Sequence, residues 1–310
     1  MNNEGKGIKV RPMLAGKLDL KKLEFSVFLQ PKYDGIRAII RCGVAYSRTL
    51  KPIRNKYIQA CIAVMDGDMD GLDGELVVGD PTASDCYRKT SSGVMSAGGK
   101  PNFMYIAFDV WDCPDLPFKE RMKSVRHRVS NLYSIPGIKV VVARTCHLYL
   151  AKNLALFYNN CLEEGFEGII VRSPTGTYKY NRSTTNEGYL LKHKPFKDAE
   201  AVIIGFQEKM HNANPAEEDE RGYTKRSSHQ ENKVPQNTLG ALCVSMLDGT
   251  DSGSKDFNIG TGFDDIQRQD IWDNREVLRG SIIKFKYADI GDYDVPRFPV
   301  FLGFRDRIDL

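Results

Sequence analysis

Short runs of β-branched and aromatic residues, each bounded by Gly, Pro or Asp, recur along this 310-residue chain and set what it can fold into. Phe25–Leu29, Ala38–Arg41, Gly74–Val78, Met104–Val110 and Gly168–Val171 read as strands. Helical spacing of apolar residues appears between them, over Lys51–Met65, Phe118–Tyr133 and Lys152–Glu164. Strands with interspersed helices predict an α+β domain built on antiparallel sheets. After Phe196 the pattern changes. Ala199–Phe206, Leu239–Leu247, Phe257–Gly260, Ser281–Ala288 and Val300–Phe304 read as five strands, with one helical stretch at Asp264–Leu278. Five strands and a helix are the content of a β-barrel OB-fold. The length suits two domains, placed at residues 1–196 and 197–310. His211–Asn237 is polar and without period, so it reads either as a disordered hairpin tip or as a loop that contacts nucleic acid.

The net charge of +4 is mild, but its distribution is uneven. From Pro31 to Met65 the only acid is Asp34, against Lys32, Arg37, Arg41, Arg48, Lys51, Arg54 and Lys56. From Asp66 to Asp80 the sign reverses, with Asp66, Asp68, Asp70, Asp73, Glu75 and Asp80. A basic surface beside carboxylates suits phosphates and a divalent metal, although charge alone favours a solvated basic face beside an acidic turn. Seven cysteines, odd in number and without a CxxC pair, speak against a zinc site or a disulfide scaffold and for a reducing compartment. The first residues carry no apolar signal core, and no apolar run is long enough to cross a bilayer. A cytoplasmic protein with no membrane partner is expected.

Lys32-Tyr33-Asp34-Gly35-Ile36-Arg37 stands between two predicted strands. A lysine nucleophile must shed its proton near neutral pH, which nearby cations and partial burial promote. Arg37 and the lysines near Lys192 could supply that field. K-x-D-G alone arises by chance in roughly one chain in ten of this length, so its companions decide. Ser47-Arg48 follows it. Leu72-Asp73-Gly74-Glu75-Leu76 and Glu167-Gly168-Ile169-Ile170-Val171-Arg172 each place a carboxylate at a strand start. Phe108-Asp109 closes an aromatic strand, and Lys192 and Lys194 alternate on one strand face.

In this order, the segments resemble the covalent nucleotidyltransferase superfamily of DNA ligases, RNA ligases and messenger-RNA capping enzymes. KYDGIR resembles the nucleophile motif, Ser47-Arg48 the next, DGELV the third, the Phe108 strand the aromatic motif, EGIIVR the fourth and LKHK the fifth. Arg11-Pro12-Met13-Leu14-Ala15 resembles the ligase lead-in, Phe257–Phe263 an OB segment of ligases, and the run from Arg297 to Asp306 the sixth motif in compact form. The likeness covers nearly the whole chain and is nearest to compact two-domain ATP-dependent DNA ligases of bacteriophages.

That resemblance implies an ATP-grasp-like adenylation domain followed by an OB-fold, acting as a monomer on nicked duplex DNA in repair, replication and recombination. Lys32 would carry AMP, with Asp34, Lys192 and Lys194 as the other catalytic residues. ATP would meet Arg37, Glu75, Phe108, Glu167, Lys192, Lys194, Arg297 and Arg305. Glu75 and Glu167 would hold Mg²⁺, with Mn²⁺ as a substitute. Arg37, Arg48, Arg88 and Lys89 would contact DNA, the last two from a loop at Thr82–Lys100. A hinge near Pro195–Asp198 would let the OB domain close during the first step. The rival readings are an RNA ligase or capping guanylyltransferase, which share the nucleophile motif, and a non-catalytic OB protein that binds nucleic acid.

Overall fold

The computed structural model describes residues 10–65, 67–133, 136–247, 256–288 and 295–305. The chain divides into two compact units, Met1–Lys194 with Glu220–Tyr223, and Pro195–Asp219 with Thr224–Leu310. The first begins with β1 (Gly16–Lys17), β2 (Val27–Pro31), β3 (Ile36–Arg41), β4 (Val44–Ser47), α1 (Lys56–Ala63), β5 (Leu72–Val78) and α2 (Cys86–Met95). It continues with β6 (Phe103–Val110), α3 (Phe118–Asn131), β7 (Ile138–Val142), β8 (Cys146–Leu148), α4 (Leu154–Glu163), β9 (Ile169–Arg172) and β10 (Leu190–His193). These strands form two sheets, ordered β1-β10-β9-β2-β8 and β4-β3-β5-β6-β7. Pairing is antiparallel except at β1/β10 and β6/β7.

Each sheet buries an apolar face under helices. Ala38, Ile40, Leu72, Leu76 and Tyr105 pack against Ile58 and Ile62 of α1 and Phe118, Met122 and Val125 of α3. Val27, Leu29, Ile169 and Val171 pack against Leu154 and Cys161 of α4. Helix α1 starts later than its apolar spacing predicts. Pro52 is bridged to Tyr46, and the fully buried Asn55 caps the helix by accepting the Ile58 N–H at 2.9 Å. Thr82–Lys100, expected as a loop, instead contains α2. Cys86, Thr90 and Val94 line its buried side four residues apart, and the Thr90 hydroxyl accepts the Val78 N–H. Its Ser, Thr and Gly content concealed that face.

The second unit contains β11 (Lys197–Asn212), β12 (Ala216–Glu218), β13 (Thr224–Arg226), β14 (Lys233–Met246), β15 (Asp256–Ile259), α5 (Asp265–Asp273), α6 (Arg275–Leu278), β16 (Ile282–Tyr287) and β17 (Val300–Arg305). Five of these strands make one antiparallel sheet, β15-β14-β11-β16-β17, around Ile203, Leu242, Val244, Ile259, Ile283 and Phe285. The outer strands β15 and β17 are not laddered to each other among the described residues. Thr261, just past β15, nevertheless accepts the Phe301 N–H at 2.9 Å, so the curled sheet approaches the barrel expected of an OB-fold. Asp264 and Gln267 form a reciprocal capping box at the start of α5. No helix among the described residues is long and apolar enough to cross a membrane.

The polar stretch His211–Asn237 is ordered by hydrogen bonds rather than by apolar period. Arms of β11 and β14 extend into it, and β12 pairs with β13. Asn214, only 4% exposed, donates to the Ser227 and His229 carbonyls at 3.1 and 3.0 Å and accepts from Asn232 at 3.1 Å.

A buried ionic network ties the two sheets of the first unit together. Asp109 on β6 receives Arg121 Nε of α3 at 2.7 Å and Arg172 Nη1 of β9 at 2.6 Å, and all three residues are buried. Removing the carboxylate would leave two buried guanidinium groups uncompensated. Asp109→Ala is therefore expected to destabilise the protein by about 3–5 kcal/mol, read as a lowered midpoint of urea unfolding.

Candidate active site

A cavity of about 230 Å³ opens between the two sheets of the first unit. The first sheet and its flanks supply Gln30, Lys32, Ile170, Arg172 and Lys192; the second supplies Arg37, Glu75 and Phe108. Lys32 follows β2, whose ladder with β9 pairs Pro31 with Ile169. Two main-chain bonds continue that pairing, Lys32 N–H to the Gly168 carbonyl at 2.8 Å and Glu167 N–H to the Lys32 carbonyl at 3.2 Å. Nucleophile candidate and carboxylate are thus set opposite each other by the backbone itself. Gly168 has φ +148°, and a Cβ there would stand 2.2 Å from the His193 carbonyl oxygen. At Gly35 a Cβ would stand 2.3 Å from the Leu76 carbonyl oxygen, so only glycine lets this turn lie against β5.

The Lys32 ammonium is ion-paired to Glu167 Oε2, and Lys194 Nζ lies 3.0 Å from Glu167 Oε1. Burial pulls the Glu167 carboxyl upward, but Lys32 and Lys194 outweigh it and hold the group below the usual carboxylate range. Lys192 of β10, two residues before Lys194, lines the cavity itself. Burial lowers its ammonium, and the neighbouring Lys32, Lys194 and Arg182 lower it further.

Glu75 sits on β5 across from Arg37 on β3. Burial pushes its carboxyl up to about 8 against the pull of Lys32 and Arg37, with Asp73 and Glu167 reinforcing the rise. Phe108 reaches the cavity by way of a β-bulge. Asp73 pairs with Asp109 and Gly74 with Ala107, which leaves Phe108 as the extra residue of β6. Its ring lies near two guanidinium groups, Arg37 at 5.4 Å and Arg172 at 5.6 Å.

The structure separates the predicted arginines. Arg48 is exposed and lines the cavity. Arg37 also lines it, but its guanidinium forks onto the buried Asp73, with Nε–Oδ1 at 2.9 Å, and donates to the Met13 carbonyl. Asp73 in turn accepts the Tyr178 hydroxyl at 2.6 Å. Arg88 and Lys89 lie on α2, pair with Asp85, and are not among the residues that line the cavity. Arg297 and Arg305 belong to the second unit; Arg305 Nε meets Glu200 at 3.1 Å, and Arg297 lies 5.7 Å over Phe298. Asp34 follows the nucleophile candidate, and its carbonyl accepts the Cys86 thiol at 3.4 Å. Asp306 and Asp66 lie outside the described residues.

The acidic run beside the motif does not gather into a metal cluster. Asp70 accepts the Cys42 and Gly43 N–H groups of a hairpin turn, and Asp80 accepts from Thr82. Among the described residues no three His, Cys, Asp or Glu side chains stand together as a metal site. Sequence reasoning gave no role to Gln30, Arg172 or Arg182, all of which line the cavity. Arg172 was visible as the end of EGIIVR, whereas Gln30 and Arg182 carried no signal beyond their polarity.

Glu75 makes stability depend on pH in a defined direction. With an ordinary value near 4.5 in the unfolded chain and about 8 in the folded one, the unfolded chain releases this proton first. Stability therefore falls as pH rises between those values and levels off above them. Glu75→Gln is expected to flatten that slope in protein free of nucleotide and metal. Urea midpoints at about pH 5 and pH 7.5 check it; equal slopes in both proteins would contradict the assignment.

Comparison with known proteins places the chain in a family. The family described as ATP dependent DNA ligase domain matches residues 12–194, and the DNA ligase OB-like domain matches residues 232–305. The chain is 26% identical over 186 residues to a DNA ligase of Saccharolobus shibatae, covering 54% of this chain and 31% of that protein. The chain thus spans about a third of the length of the curated relatives it matches. Among solved structures, the Chlorella virus DNA ligase-adenylate is 32% identical with a TM-score of 0.54, covering 95% of this chain and 99% of that one. A structure of the Lig E DNA ligases shares the fold at a TM-score of 0.69 and 21% identity, over 95% of this chain and 99% of that one. The first of these matches alone takes in more than half of the residues, and the chain belongs to the family of ATP-dependent DNA ligases.

Proposed function

We propose that this protein seals nicks in duplex DNA with ATP, through AMP carried on Lys32 and then on the DNA 5′-phosphate. The observation that carries this reading is Lys32 on the wall of a cavity that also presents Phe108, Glu75 and Lys192. In it the first unit is the adenylation domain and the second the OB-fold domain. Adenine stacks on Phe108, a ring already backed by two guanidinium groups. Lys192 and Lys194 neutralise the α-phosphate. Once deprotonated, Lys32 Nζ attacks the α-phosphorus; the N–P bond forms, the bond to the bridging oxygen breaks, and pyrophosphate leaves with the electron pair. The same AMP passes to the 5′-phosphate, and attack by the 3′-hydroxyl joins the strands and releases AMP. Positioning and charge neutralisation dominate all three steps.

Glu75 in the cavity wall and Glu167, paired to Lys32 beside it, are hard oxygen donors, and they fit a cation that keeps most of its shell as water and phosphate oxygen. Mg²⁺ held there would offset phosphate charge. Glu167 is the carboxylate already held ionised, while Glu75 would ionise on meeting the cation. Arg48, exposed beside the cavity, suits a nick phosphate. Arg37 acts from the wall, because Asp73 holds its guanidinium. Arg297 and Arg305 are assigned to the departure of pyrophosphate, and Arg88 and Lys89 to the duplex flank. The seven cysteines are unpaired, which supports a reducing compartment, and the reading takes the enzyme to be cytoplasmic and monomeric.

Lys32→Ala is expected to abolish the AMP adduct, measured by intact-protein mass after incubation with ATP and Mg²⁺; an adduct retained on another lysine would refute the role of Lys32. A nicked duplex made wholly of DNA should be sealed with ATP, whereas preferential sealing of RNA strands, or an adduct formed from GTP, would favour the RNA ligase or capping readings. Arg305→Ala should slow loading from ATP more than sealing of a pre-adenylated nick, and equal losses in the two assays would reject the pyrophosphate role.

A further inference from the structure

Arg144 lies between β7 and β8, is not itself in the cavity wall, and touches both segments that carry the Lys32–Glu167 pair. Its backbone N–H donates to the Tyr33 hydroxyl at 3.3 Å. Its Nη1 is 2.6 and 3.0 Å from the two oxygens of Glu164, and its Nη2 is 3.3 Å from Cys161 Sγ. The guanidinium lies 5.3 Å over the Phe166 ring and 5.6 Å over Phe157. Phe166 in turn meets Tyr33 edge-on at 5.4 Å. Tyr33, Phe166 and Arg144 thus form a closed ring of contacts. Tyr33 is the residue after Lys32, and Phe166 is the residue before Glu167.

The geometry points to Arg144 as a positioning residue for transfer of AMP to Lys32, an inference that rests on the reading of Lys32 as nucleophile. Arg144 touches no reacting atom. It fixes the neighbours of the pair, so that the two main-chain bonds between Lys32 and residues 167 and 168 keep their register. The Arg144 and Glu164 side chains are 44% and 43% exposed, and an ion pair so wetted contributes little to stability. What its loss disturbs is alignment, to which phosphoryl transfer is steeply sensitive.

The test uses the full chain as wild type, R144A, R144K, E164A and the R144A/E164A double variant, with ATP and Mg²⁺ as probes and lysyl-AMP formation followed in a single turnover. At saturating ATP, R144A should be slower by about tenfold or more, with the half-saturating ATP concentration changed by less than about twofold. Thermal unfolding should shift by only about 3 °C or less. R144K should recover part of the rate, because an ammonium can still reach Glu164 but cannot cover Phe166 as a planar fork. The double variant should be no slower than R144A. A rate for R144A within about twofold of wild type, or losses that multiply in the double variant, would overturn the role. Should R144A fail to fold, R144K and E164A both matching wild type would overturn it as well. Absence of any adduct in the wild type would sink the nucleophile reading and this one with it, whereas adduct formed equally by wild type and R144A would sink this one alone.

Discussion

One carboxylate holds the cavity-bearing unit in shape. Asp109 is removed from water, and its oxygens receive Arg121 of α3, Arg172 of β9 and the adjacent Val110 N–H. Buried charge is costly unless each donor and acceptor is met, and here the remaining guanidinium donors find the Leu116 and Gly176 carbonyls and Gln30. The network spans the join between the two sheets, which is also where the cavity opens. Arg172 is at once a member of the network and part of the cavity wall, and Phe108 is the neighbour of Asp109 in sequence. The Phe108 ring in the cavity wall therefore inherits its position from an ionic knot behind it. A second knot of Arg37, Asp73 and Tyr178 fixes the opposite side.

Two carboxylates of like chemistry acquire different states from their surroundings. Glu75 has cations nearby, but loss of water dominates and keeps its proton on at neutral pH. Glu167 is also shielded, yet two ammonium groups in direct contact hold it ionised. With Glu75 protonated and Glu167 ionised, two bare negative charges do not stand together close to Lys32.

The strands were legible because their apolar runs sit between Gly, Pro and Asp, and the motif series exposed Lys32, Glu75, Phe108, Glu167 and Lys192 as a set. What was not legible depended on long-range geometry. The bulge that turns Phe108 toward the cavity leaves no mark in composition. Arg37 and Arg48 look alike as bases on the chain, and only the burial of Asp73 shows that one is tethered and the other exposed. Helix α2 was hidden because its buried face includes Thr90, a residue that pattern reading counts as polar. Arg144 could not be singled out, since Tyr33 is more than a hundred residues away and Glu164 comes from another element.

Asn214 gives the second unit a property of a different kind. One buried amide binds both arms of the hairpin where they leave the five-stranded sheet, so the sheet ends electrically and geometrically at that point. Residues 215–225 lie past this closure and outside the packed core of the sheet, and Glu220–Tyr223 among them group with the first compact unit. A change of length or charge past that point therefore leaves the apolar core of the five-stranded sheet untouched, because the amide has already closed the hairpin.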